Sequence, residues 1–521
     1  MTWLCVPIFV ENIEDARRQI EEAVKAGAQM IELRVDAWPR LQGVDSLRAI
    51  EDLAVVAGIP CIFTCRAQWE GGECELLEPQ RMELLEAAGA SGEFACVDVE
   101  LAAARRRTEL AKKVDAKTQL ILSSHDFAGR PDKLYSLLLE MTDIGNGINK
   151  VAWLARTVRD NLEAFEILRN RVRPTIAVCL GEAGVISRIL AKKFGAFLTF
   201  GPLDRDSATA PGQVTIDDLQ RLYRWNKVSS ETRVYGVVAH PVGHSMSPAI
   251  HNAAFDATNY DGVYVPFFVE PGYESFKAFM EEFLAFTPLD LSGLSVTLPH
   301  KETALRYLQS KNCWIEPLAA RIGAVNTIVV RPGGELRGLN TDYAAILDSI
   351  TERLKISREE LSVKRVAVIG AGGTGRTAVA ALAYYGADVT VFNRTIERAK
   401  KLAEEFDGQT GRVRAADLED VGKEQFDIFI NTTSVGMHPN AGETPIGATP
   451  LPLSAQTLVF DAIYNPMETR FLREARQAGA ITVGGVEMFL RQAVAQFEAW
   501  TGIAAPAEAM RKVIEQRLSV R

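Results

Sequence analysis

The chain has 521 residues, of which 47% are hydrophobic and 24% charged, with a formal net charge of −9. This composition is typical of a globular protein with large cores, and the acidic balance disfavours nucleic acid or an anionic membrane as a partner. At roughly 100–200 residues per domain, we expect three domains.

The chain opens on an apolar run that predicts a first strand. It lacks the basic region and cleavage site of a signal peptide, and no later stretch approaches the roughly 18 apolar residues of a membrane span. The seven cysteines are scattered without a Cys-x-x-Cys motif, which is typical of core residues in a reducing compartment. We therefore expect a cytoplasmic protein.

Apolar, β-rich runs alternate with amphipathic stretches over the first 220 or so residues. Amphipathic stretches such as 14–27 and 46–57 predict helices between the strands. The predicted strands are 4–9, 29–34, 59–65, 94–99, 118–122, 147–152, 174–179 and 196–200. Eight strands with intervening helices predict a (β/α)8 barrel.

Polar residues fall where such a barrel carries its function, at the C-terminal strand ends. We expect Glu32 and Arg34 to end the second strand, Arg66 the third, His125 the fifth and Lys150 the sixth.

Lys150 is the most informative residue of this part, because its neighbours alternate as in a buried strand. Burial favours a neutral amine, which can attack a ketone. His125 is the only histidine in the first 232 residues and could move the proton that such an imine needs. The pair predicts imine chemistry.

Several short motifs accompany these two residues. They are Glu32-Leu33-Arg34-Val35-Asp36, Thr64-Cys65-Arg66 with Glu70, Ser124-His125-Asp126-Phe127, Lys150, Ser187-Arg188 and Ala210-Pro211-Gly212-Gln213. As a set they resemble type I 3-dehydroquinate dehydratase over residues 1–225.

The resemblance implies that Lys150 forms an imine with the C3 ketone of 3-dehydroquinate. His125 would then take the C2 proton and help the C1 hydroxyl leave as water, with Glu70 orienting His125. The residues implied in holding the carboxylate, the hydroxyls and the ring are Arg188, Gln213, Glu32, Arg34, Arg66 and Thr209. Thr209 departs from the serine that many relatives have before Ala-Pro-Gly-Gln.

A second α/β region follows a polar, unpatterned segment at 226–232, which we interpret as a short linker. A strand is predicted at 234–238, and a mixed α/β region runs to about residue 340. Another α/β unit begins with a strand at 365–369, and helices are expected from 485 to about 517.

The strand at 365–369 runs into a glycine-rich loop that precedes a helix. Such a turn lets backbone N–H groups approach a pyrophosphate. The loop residues expected to bind a dinucleotide are Gly370, Gly372, Gly373, Thr374 and Gly375. The next strand, 388–392, ends in Asn393, Arg394 and Thr395. Because no acid stands there for a ribose 2′-hydroxyl and Arg394 suits a 2′-phosphate, NADP is favoured.

Motifs before and after this loop resemble shikimate dehydrogenase across residues 233–521. They are 241–248, 295–301, 324–327 and 338–342, together with Gly485 and Gln492. The resemblance implies that Lys301 and Asp342 flank the reacting hydroxyl, with Lys301 as proton donor or acceptor. It also implies substrate binding by Ser245, Ser247, Thr297, Asn326, Tyr464 and Gln492, and cofactor contact at Gly485. The histidines at 240, 244, 251 and 300 are not expected to bind a metal.

Together the halves resemble a bifunctional 3-dehydroquinate dehydratase/shikimate dehydrogenase, because the product of one site is the substrate of the other. The expected domains are a barrel at 1–226, a substrate domain at 233–340 completed by helices at 485–521, and a Rossmann-like NADP domain at 341–484. The expected partners are 3-dehydroquinate, 3-dehydroshikimate and shikimate, without nucleic acid or membrane, and the oligomeric state stays open. Two alternatives remain: an NAD-dependent quinate/shikimate dehydrogenase in the second half, or a non-catalytic barrel.

Overall fold

The computed structural model describes residues 2–107, 113–144, 147–204, 214–243, 245–408 and 410–519. By its contacts the chain divides into two units. The first is Met1–Pro248 with Asp261–Leu291, and the second is Ala249–Tyr260 with Ser292–Arg521.

The first unit is built on eight parallel strands. They are β1 (Trp3–Phe9), β2 (Met30–Arg34), β3 (Cys61–Thr64), β4 (Cys96–Glu100), β5 (Gln119–Asp126), β6 (Ile148–Leu154), β7 (Thr175–Leu180) and β8 (Leu198–Phe200). Their order in the sheet is β7-β6-β5-β4-β3-β2-β1-β8. At the seam between β7 and β8 the Phe197 amide donates to the Thr175 carbonyl at 2.8 Å. The predicted barrel is confirmed, and each predicted run overlaps an observed strand.

Helices alternate with these strands. They are α1 (Ile13–Lys25), α2 (Leu47–Ala57), α3 (Glu78–Ser91), α4 (Leu101–Ala104), α5 (Leu134–Ile144), α6 (Asp160–Arg169) and α7 (Val185–Ile189). Single 3₁₀ turns occur at Val35–Ala37, Gly43–Ser46, Gln68–Glu70, Glu182–Gly184, Trp225–Lys227 and Thr287–Leu289, and a π-turn at Asp218–Leu222. The helix predicted at 14–27 is capped by Asn12, whose side chain accepts from the Asp15 amide at 2.8 Å.

The predicted linker at 226–232 is packed against its own unit. Val228 and Thr232 are buried, and the Thr232 hydroxyl donates to Asp261 at 2.7 Å. Lys193 Nζ donates to the carbonyls of Ser230 and Thr232 at 2.8 Å each. The backbone carbonyls and the Thr232 side chain of this segment are therefore hydrogen-bonded within the unit. A polar sequence pattern alone does not distinguish such a packed segment from a loose linker.

The first unit also contains β9 (Arg233–Ala239) and β10 (Gly262–Phe268), which pair in parallel, and α9 (Tyr273–Ala285). The second unit holds most of α8 (Ser247–Ala257) and a group of short strands. These are β11 (Leu291–Val296), β12 (Trp314–Ile315), β13 (Thr327–Val330) and β14 (Leu336–Leu339). Strand β13 is antiparallel to both β11 and β14, and β12 is parallel to β14. Helices α10 (Lys301–Ser310), α11 (Pro317–Ile322) and α12 (Thr341–Leu354) accompany these strands.

A six-stranded parallel sheet follows within the second unit. Its strands are β15 (Arg365–Ile369), β16 (Asp388–Asn393), β17 (Arg412–Asp417), β18 (Ile428–Asn431), β19 (Leu458–Asp461) and β20 (Ile481–Val483), in the order β17-β16-β15-β18-β19-β20. The order reverses between β15 and β18, which is where such sheets bind ligands. The predicted Rossmann-like fold is confirmed.

The helices of this region are α13 (Gly373–Tyr384), α14 (Ile396–Phe406), α15 (Arg470–Gln477), α16 (Gly485–Thr501) and α17 (Ala507–Ser519), with 3₁₀ turns at Glu359–Val363 and Leu418–Asp420. The last two confirm the helices predicted after residue 485. Among the described residues, no helix combines the length and apolar character that a membrane span requires.

Candidate active sites

The barrel interior has an apolar layer with a charged layer directly beyond it. Side chains alternate along a strand, so residues two apart face the same side. Met30, Cys96, Ile121 and Ile148 belong to the apolar interior. Two residues later in the same strands stand Glu32, Asp98, Ser123 and Lys150, which are all buried. The strand pattern therefore gathers charged groups in a water-poor space, where their interactions are strong.

Lys150 lies among two carboxylates and an aromatic ring. Its Nζ donates to Asp98 Oδ2 at 2.8 Å and to Glu32 Oε1 at 3.3 Å. It also stands 4.8 Å from the centre of the Phe200 ring. Lys150 is only 5% exposed, so these neighbours replace most of its contact with water.

The prediction that Lys150 ends the sixth strand is wrong. Lys150 is the third residue of β6, which continues to Leu154. The strand is longer because β5 and β6 keep pairing as far as Asp126 and Trp153. The amine consequently lies deeper in the barrel than a strand-end residue would.

His125 and Glu70 form a close pair. His125 Nδ1 lies 2.8 Å from Glu70 Oε2, and the His125 backbone N–H donates to the same oxygen at 3.0 Å. Burial raises the pKa of Glu70 to about 7, against the opposing effect of Arg66. Burial, together with the charges of Arg66 and Lys150, holds the pKa of His125 well below its usual value. The electrostatics thus favour a neutral imidazole, which can act as a base.

Arg66 is fixed by a network that the sequence analysis missed. Its guanidinium donates to Asp98 at 2.8 Å, to Glu100 at 3.1 Å and to the Ser123 hydroxyl at 2.7 Å. Arg81 donates in turn to Glu100 at 2.8 Å. Burial opposes the charge on Arg66, but Asp98 and Glu100 raise its pKa above the ordinary value.

The missed acids had a signal in the sequence. Asp98 and Glu100 stand two residues apart in the apolar run 96–100, so both face the barrel interior. Acidic residues are almost never fully buried unless paired. Two acids on one face of a buried strand therefore predict buried cationic partners.

Arg34 and Arg188 also border this space. Arg34 makes two hydrogen bonds to Asp36, at 2.9 and 2.8 Å. Arg188 Nη1 donates to the Cys179 carbonyl at 2.8 Å, while its buried Nε has no hydrogen-bond partner among the described residues. Burial lowers the pKa of Arg188 to about 10. An anionic ligand could supply the partner that Arg188 lacks.

Seven of the predicted barrel residues line one cavity of about 220 Å³. They are Glu32, Arg34, Arg66, Glu70, His125, Lys150 and Arg188. The cavity therefore places an amine, an imidazole and three guanidinium groups around a space for a small anionic molecule. Predicted residues Thr209 and Gln213 lie outside the described residues.

In the second unit, Lys301 and Asp342 are brought together across 41 positions of sequence. Lys301 Nζ donates to Asp342 Oδ2 at 2.7 Å. Lys301 is the first residue of α10. Asn340 caps α12 by accepting from the amides of Asp342 and Tyr343, which sets Asp342 in the first helical turn. Both side chains remain partly accessible, as groups that meet a substrate must.

Other residues predicted around this pair have internal partners. Asn326 is buried and bonds to Thr327 and Thr341. Thr297 is partly exposed and its carbonyl accepts from the His300 amide. Gln492 Nε2 donates to the Phe489 carbonyl at 2.9 Å.

Gln496, which the sequence analysis missed, contacts β11 and the start of β13 next to Asn326. It accepts from the Ser295 hydroxyl at 2.8 Å and donates to the Thr327 hydroxyl at 3.1 Å. Gln496 lies one helical turn after Gln492 in α16, and that spacing on one helix face was its only signal.

Ser245 and Ser247 stand at the start of α8, where the Ser247 amide donates to Ser245 Oγ at 3.3 Å. Both hydroxyl-bearing residues are partly accessible.

The glycine-rich loop connects β15 to α13. Gly370 has a φ of +110°, and Gly372 is the residue before the helix. A Cβ on Gly375 would lie 2.2 Å from the Gly370 carbonyl oxygen, whereas a Cβ on Gly372 or Gly373 would meet no atom within 4 Å. One glycine thus permits close packing of helix on loop, and the other two leave open space at a helix N-terminus. This arrangement fits a pyrophosphate.

The end of β16 borders that loop. Asn393 Oδ1 accepts from the Ala371 amide at 3.2 Å, and its Nδ2 donates to the Thr395 carbonyl at 2.8 Å. Arg394 and Thr395 are exposed, and Thr374 is partly so. The exposed guanidinium suits a further phosphate beyond the pyrophosphate.

The loops after β19 complete this part of the sheet. Tyr464 stacks on Phe489 with ring centres 4.8 Å apart. A Cβ on Gly485 would lie 2.4 Å from the Ala462 carbonyl oxygen. Asp461, which the sequence analysis missed, bonds to Asn431, Thr469 and the Ile463 amide, and burial raises its pKa to about 6.

The fold and the two residue sets define a class of enzyme: a barrel built around a buried lysine and histidine, joined to a dinucleotide-binding oxidoreductase. Family models match both halves. They are type I 3-dehydroquinase (residues 4–230), the shikimate dehydrogenase substrate binding domain (237–328), shikimate/quinate 5-dehydrogenase (352–442) and the shikimate 5′-dehydrogenase C-terminal domain (485–515).

The chain is also similar to individual proteins of known sequence or structure. A chloroplastic bifunctional 3-dehydroquinate dehydratase/shikimate dehydrogenase of Arabidopsis thaliana is 39% identical over 97% of this chain and 83% of its own length. A shikimate dehydrogenase (NADP(+)) of Methanosarcina acetivorans is 42% identical over 55% of this chain and 99% of its own. A solved structure of dehydroquinate dehydratase and shikimate dehydrogenase from S. pombe is 25% identical over 99% of this chain and 98% of its own, with a TM-score of 0.44.

The chain belongs to the family of bifunctional 3-dehydroquinate dehydratase/shikimate dehydrogenases. It is an enzyme of the shikimate pathway with a lyase half and an oxidoreductase half.

Proposed function

We propose that the barrel dehydrates 3-dehydroquinate to 3-dehydroshikimate through Lys150. The neutral amine attacks the C3 ketone, and water leaves with uptake of one proton from solvent to give a protonated imine; hydrolysis of the imine later returns that proton. His125 removes the C2 proton, whose electron pair moves toward the imine nitrogen. The C1 hydroxyl then leaves as water with a proton from His125. Hydrolysis of the imine returns Lys150, so the net loss is one water. The observation that carries this proposal is the buried Lys150 amine sharing one cavity with His125.

The remaining barrel residues hold the substrate in this proposal. A guanidinium fork matches the two oxygens of a carboxylate, and the Nε of Arg188, which has no partner among the described residues, suits that role. The residues assigned to the carboxylate, hydroxyls and ring are Arg188, Gln213, Thr209, Glu32, Arg34 and Arg66. Glu70 orients His125, to which it is hydrogen-bonded.

In the second half, we propose that 3-dehydroshikimate is reduced to shikimate with NADPH. When bound, the nicotinamide supplies a hydride. Lys301 stabilises the negative charge that develops on the substrate oxygen and donates a proton to it, while Asp342 holds Lys301 in place. Ser245 and Ser247 bind the carboxylate. Thr297, Asn326 and Gln492 bind ring hydroxyls, and Tyr464 borders substrate and nicotinamide.

The cofactor assignment rests on the open loop and the exposed arginine. The pyrophosphate is assigned to Gly370, Gly372, Gly373, Thr374 and Gly375, with Gly485 near the nicotinamide. Asn393, Arg394 and Thr395 bind the adenosine 2′-phosphate. The relative from Methanosarcina acetivorans is named for NADP(+), which supports this choice over NAD.

The domain boundaries that support these activities are 1–226 for the barrel, 233–340 with 485–521 for the substrate domain, and 341–484 for the NADP domain. The partners are the three small acids, without nucleic acid or membrane. A cytoplasmic location is supported by the seven free cysteines, although the Arabidopsis relative is chloroplastic.

Incubation with 3-dehydroquinate, with and without NADPH, tests the proposal directly. We expect 3-dehydroshikimate alone without NADPH and shikimate with it. Borohydride added with the substrate should label the peptide that carries Lys150, and Lys150→Ala should abolish dehydration but leave shikimate oxidation. No label on Lys150 would reject the imine mechanism, and an inactive parent would favour a non-catalytic barrel. Faster oxidation of quinate with NAD would favour a quinate dehydrogenase.

A further inference from the structure

The closest anionic neighbour of the Lys150 amine has no part in the mechanism above. Asp98 Oδ2 lies 2.8 Å from Lys150 Nζ, whereas Glu32 Oε1 lies 3.3 Å away. Glu32 Oε1 also accepts from the Thr64 hydroxyl at 3.0 Å. Asp98 is therefore the carboxylate in closest contact with the nitrogen that becomes the imine.

Asp98 is held as an anion in a water-poor position. It is only 1% exposed. Its Oδ2 accepts from Arg66 at 2.8 Å, and its Oδ1 accepts from the Ser123 hydroxyl at 2.6 Å. Burial would raise the pKa of Asp98, but Arg66 and Lys150 outweigh burial and lower it. A buried carboxylate with two strong donors besides the lysine stays charged and fixed while the lysine reacts.

We infer that Asp98 is the counter-ion of the protonated imine in the proposed dehydration, which makes Asp98 a catalytic residue. This inference rests on the proposed function of the barrel. The imine accepts the C2 electron pair only while its nitrogen carries a proton and a positive charge. A carboxylate 2.8 Å from that nitrogen stabilises the charged form relative to the neutral one.

Several other charged or titratable groups surround Lys150 and Asp98 and must be considered in a pH experiment. They are Cys5 on β1, Glu32 and Arg34 on β2, Arg66 and Glu70 after β3, Cys96 and Glu100 on β4, and His125 on β5. From β7 and β8, Ile176, Val178 and Phe200 line the same cavity and contribute no charge, whereas Arg188 of α7 lines it with a guanidinium. Of the carboxylates among these groups, only Glu32 joins Asp98 within 4 Å of the lysine nitrogen.

The test is Asp98→Asn, which removes the charge and keeps the shape. An opposite charge at this distance shifts a pKa by about 1–3 units. Without it, the imine nitrogen loses its proton at lower pH. We therefore expect the alkaline limb of dehydratase kcat to move down by about 1–3 pH units. Imine formation should persist, because the first attack requires only the neutral amine.

Chemical trapping provides a second readout that a structural defect would not reproduce. Borohydride reduces neutral and protonated imines, whereas cyanoborohydride reduces the protonated form. At a pH above the shifted limb, Asp98→Asn should keep its borohydride label on Lys150. The ratio of cyanoborohydride to borohydride labelling should fall by about tenfold or more, which corresponds to a shift of at least one pH unit.

Glu100→Gln is the matched control. Glu100 lies on the same strand, is equally buried and bonds to Arg66, but its carboxylate is not among the partners of Lys150. This variant should keep the parent alkaline limb and labelling ratio. If Asp98→Asn does not fold, Asp98→Glu keeps the charge but displaces it, and should show a smaller shift in the same direction.

The inference is overturned if the parent is labelled on Lys150 but Asp98→Asn keeps the alkaline limb of kcat and the ratio of cyanoborohydride to borohydride labelling that the parent has. It is also overturned if Glu100→Gln shifts the alkaline limb of kcat and the labelling ratio as much as Asp98→Asn does. If Asp98→Asn does not fold, the inference is overturned when Asp98→Glu shifts neither the limb nor the ratio. A parent that is not labelled on Lys150 at all instead refutes the proposed function.

Discussion

At the scale of single residues, the Glu70–His125 pair predicts a particular pH dependence. Because Glu70 has a pKa of about 7 and that of His125 is far lower, the pair should lose its proton near pH 7 as a unit. We expect dehydratase kcat/KM to rise with pH through this value. In Glu70→Gln only the low pKa of His125 remains, so the rising limb should move to lower pH. Identical pH profiles of kcat/KM for parent and variant would contradict this account.

The same pair affects stability. The pKa of Glu70 is raised in the folded state from its ordinary 4.5. The contribution of Glu70 to the free energy of unfolding is therefore fully present below pH 4.5 and is lost as pH rises through about 7. Urea unfolding of the parent from pH 4.5 to 8 should show this loss, and Glu70→Gln should flatten it.

Lys301 carries the second residue-scale prediction. Since its ammonium meets the substrate oxygen in the proposed reduction, Lys301→Ala should lower kcat for shikimate oxidation by about 10²- to 10⁴-fold. The dissociation constant for NADPH, measured by fluorescence titration, should stay nearly unchanged. Loss of cofactor affinity with intact turnover would show that Lys301 has a different role. Lys150→Ala is the control, because it alters the other half only.

At the scale of elements, two glycines in the turn from β15 to α13 have different roles, one in packing and one in cofactor binding. A methyl on Gly375 would overlap the Gly370 carbonyl oxygen, so Gly375→Ala should destabilise the folded protein by about 1–3 kcal/mol. Gly373→Ala meets open space and should keep the melting temperature of the parent but weaken NADPH binding, because its methyl occupies the approach to the helix N-terminus. Thermal unfolding and NADPH titration of both variants measure this. Equal melting temperatures would contradict the packing argument.

The end of β16 carries the prediction about cofactor choice. A charge-assisted hydrogen bond contributes on the order of 1.5–3 kcal/mol, so Arg394→Ala should weaken NADPH binding roughly ten- to a hundredfold. NADH lacks the 2′-phosphate and should bind parent and variant alike. The assignment of Arg394 fails if the parent prefers NADH or if the variant keeps its full preference for NADPH.

At the scale of the whole molecule, each reaction has its own set of residues, and 3-dehydroshikimate is a small soluble acid. A mixture of Lys150→Ala and Lys301→Ala chains should therefore convert 3-dehydroquinate and NADPH to shikimate. The intermediate would leave one chain and enter another. Product analysis by chromatography measures the conversion. Each variant alone should give no shikimate beyond trace amounts, and failure of the mixture would mean that the intermediate does not pass through solution.

The sequence by itself determined the element order of the molecule. Alternating strand and helix periods over 220 residues specified the barrel, and the strand before Gly370 with the helix after Gly373 specified the dinucleotide fold. Lys150 and His125 could be named because a lysine in an apolar strand and a lone histidine stand out locally, whereas Glu70 was named only through the resemblance to type I 3-dehydroquinate dehydratase. Each of these local signals is contained in a few neighbouring residues, so no tertiary information is needed to detect it.

Only the tertiary structure decided which groups meet. Asp98 contacts Lys150 across 52 positions, and Gln496 reaches Ser295 across 201. Local periodicity carries no information about such separations. It also did not show how far β6 continues past Lys150, because strand length depends on pairing with β5. The pKa values of Glu70 and His125 were likewise undetermined by sequence, since burial and the charges of neighbouring strands set them only when the barrel closes.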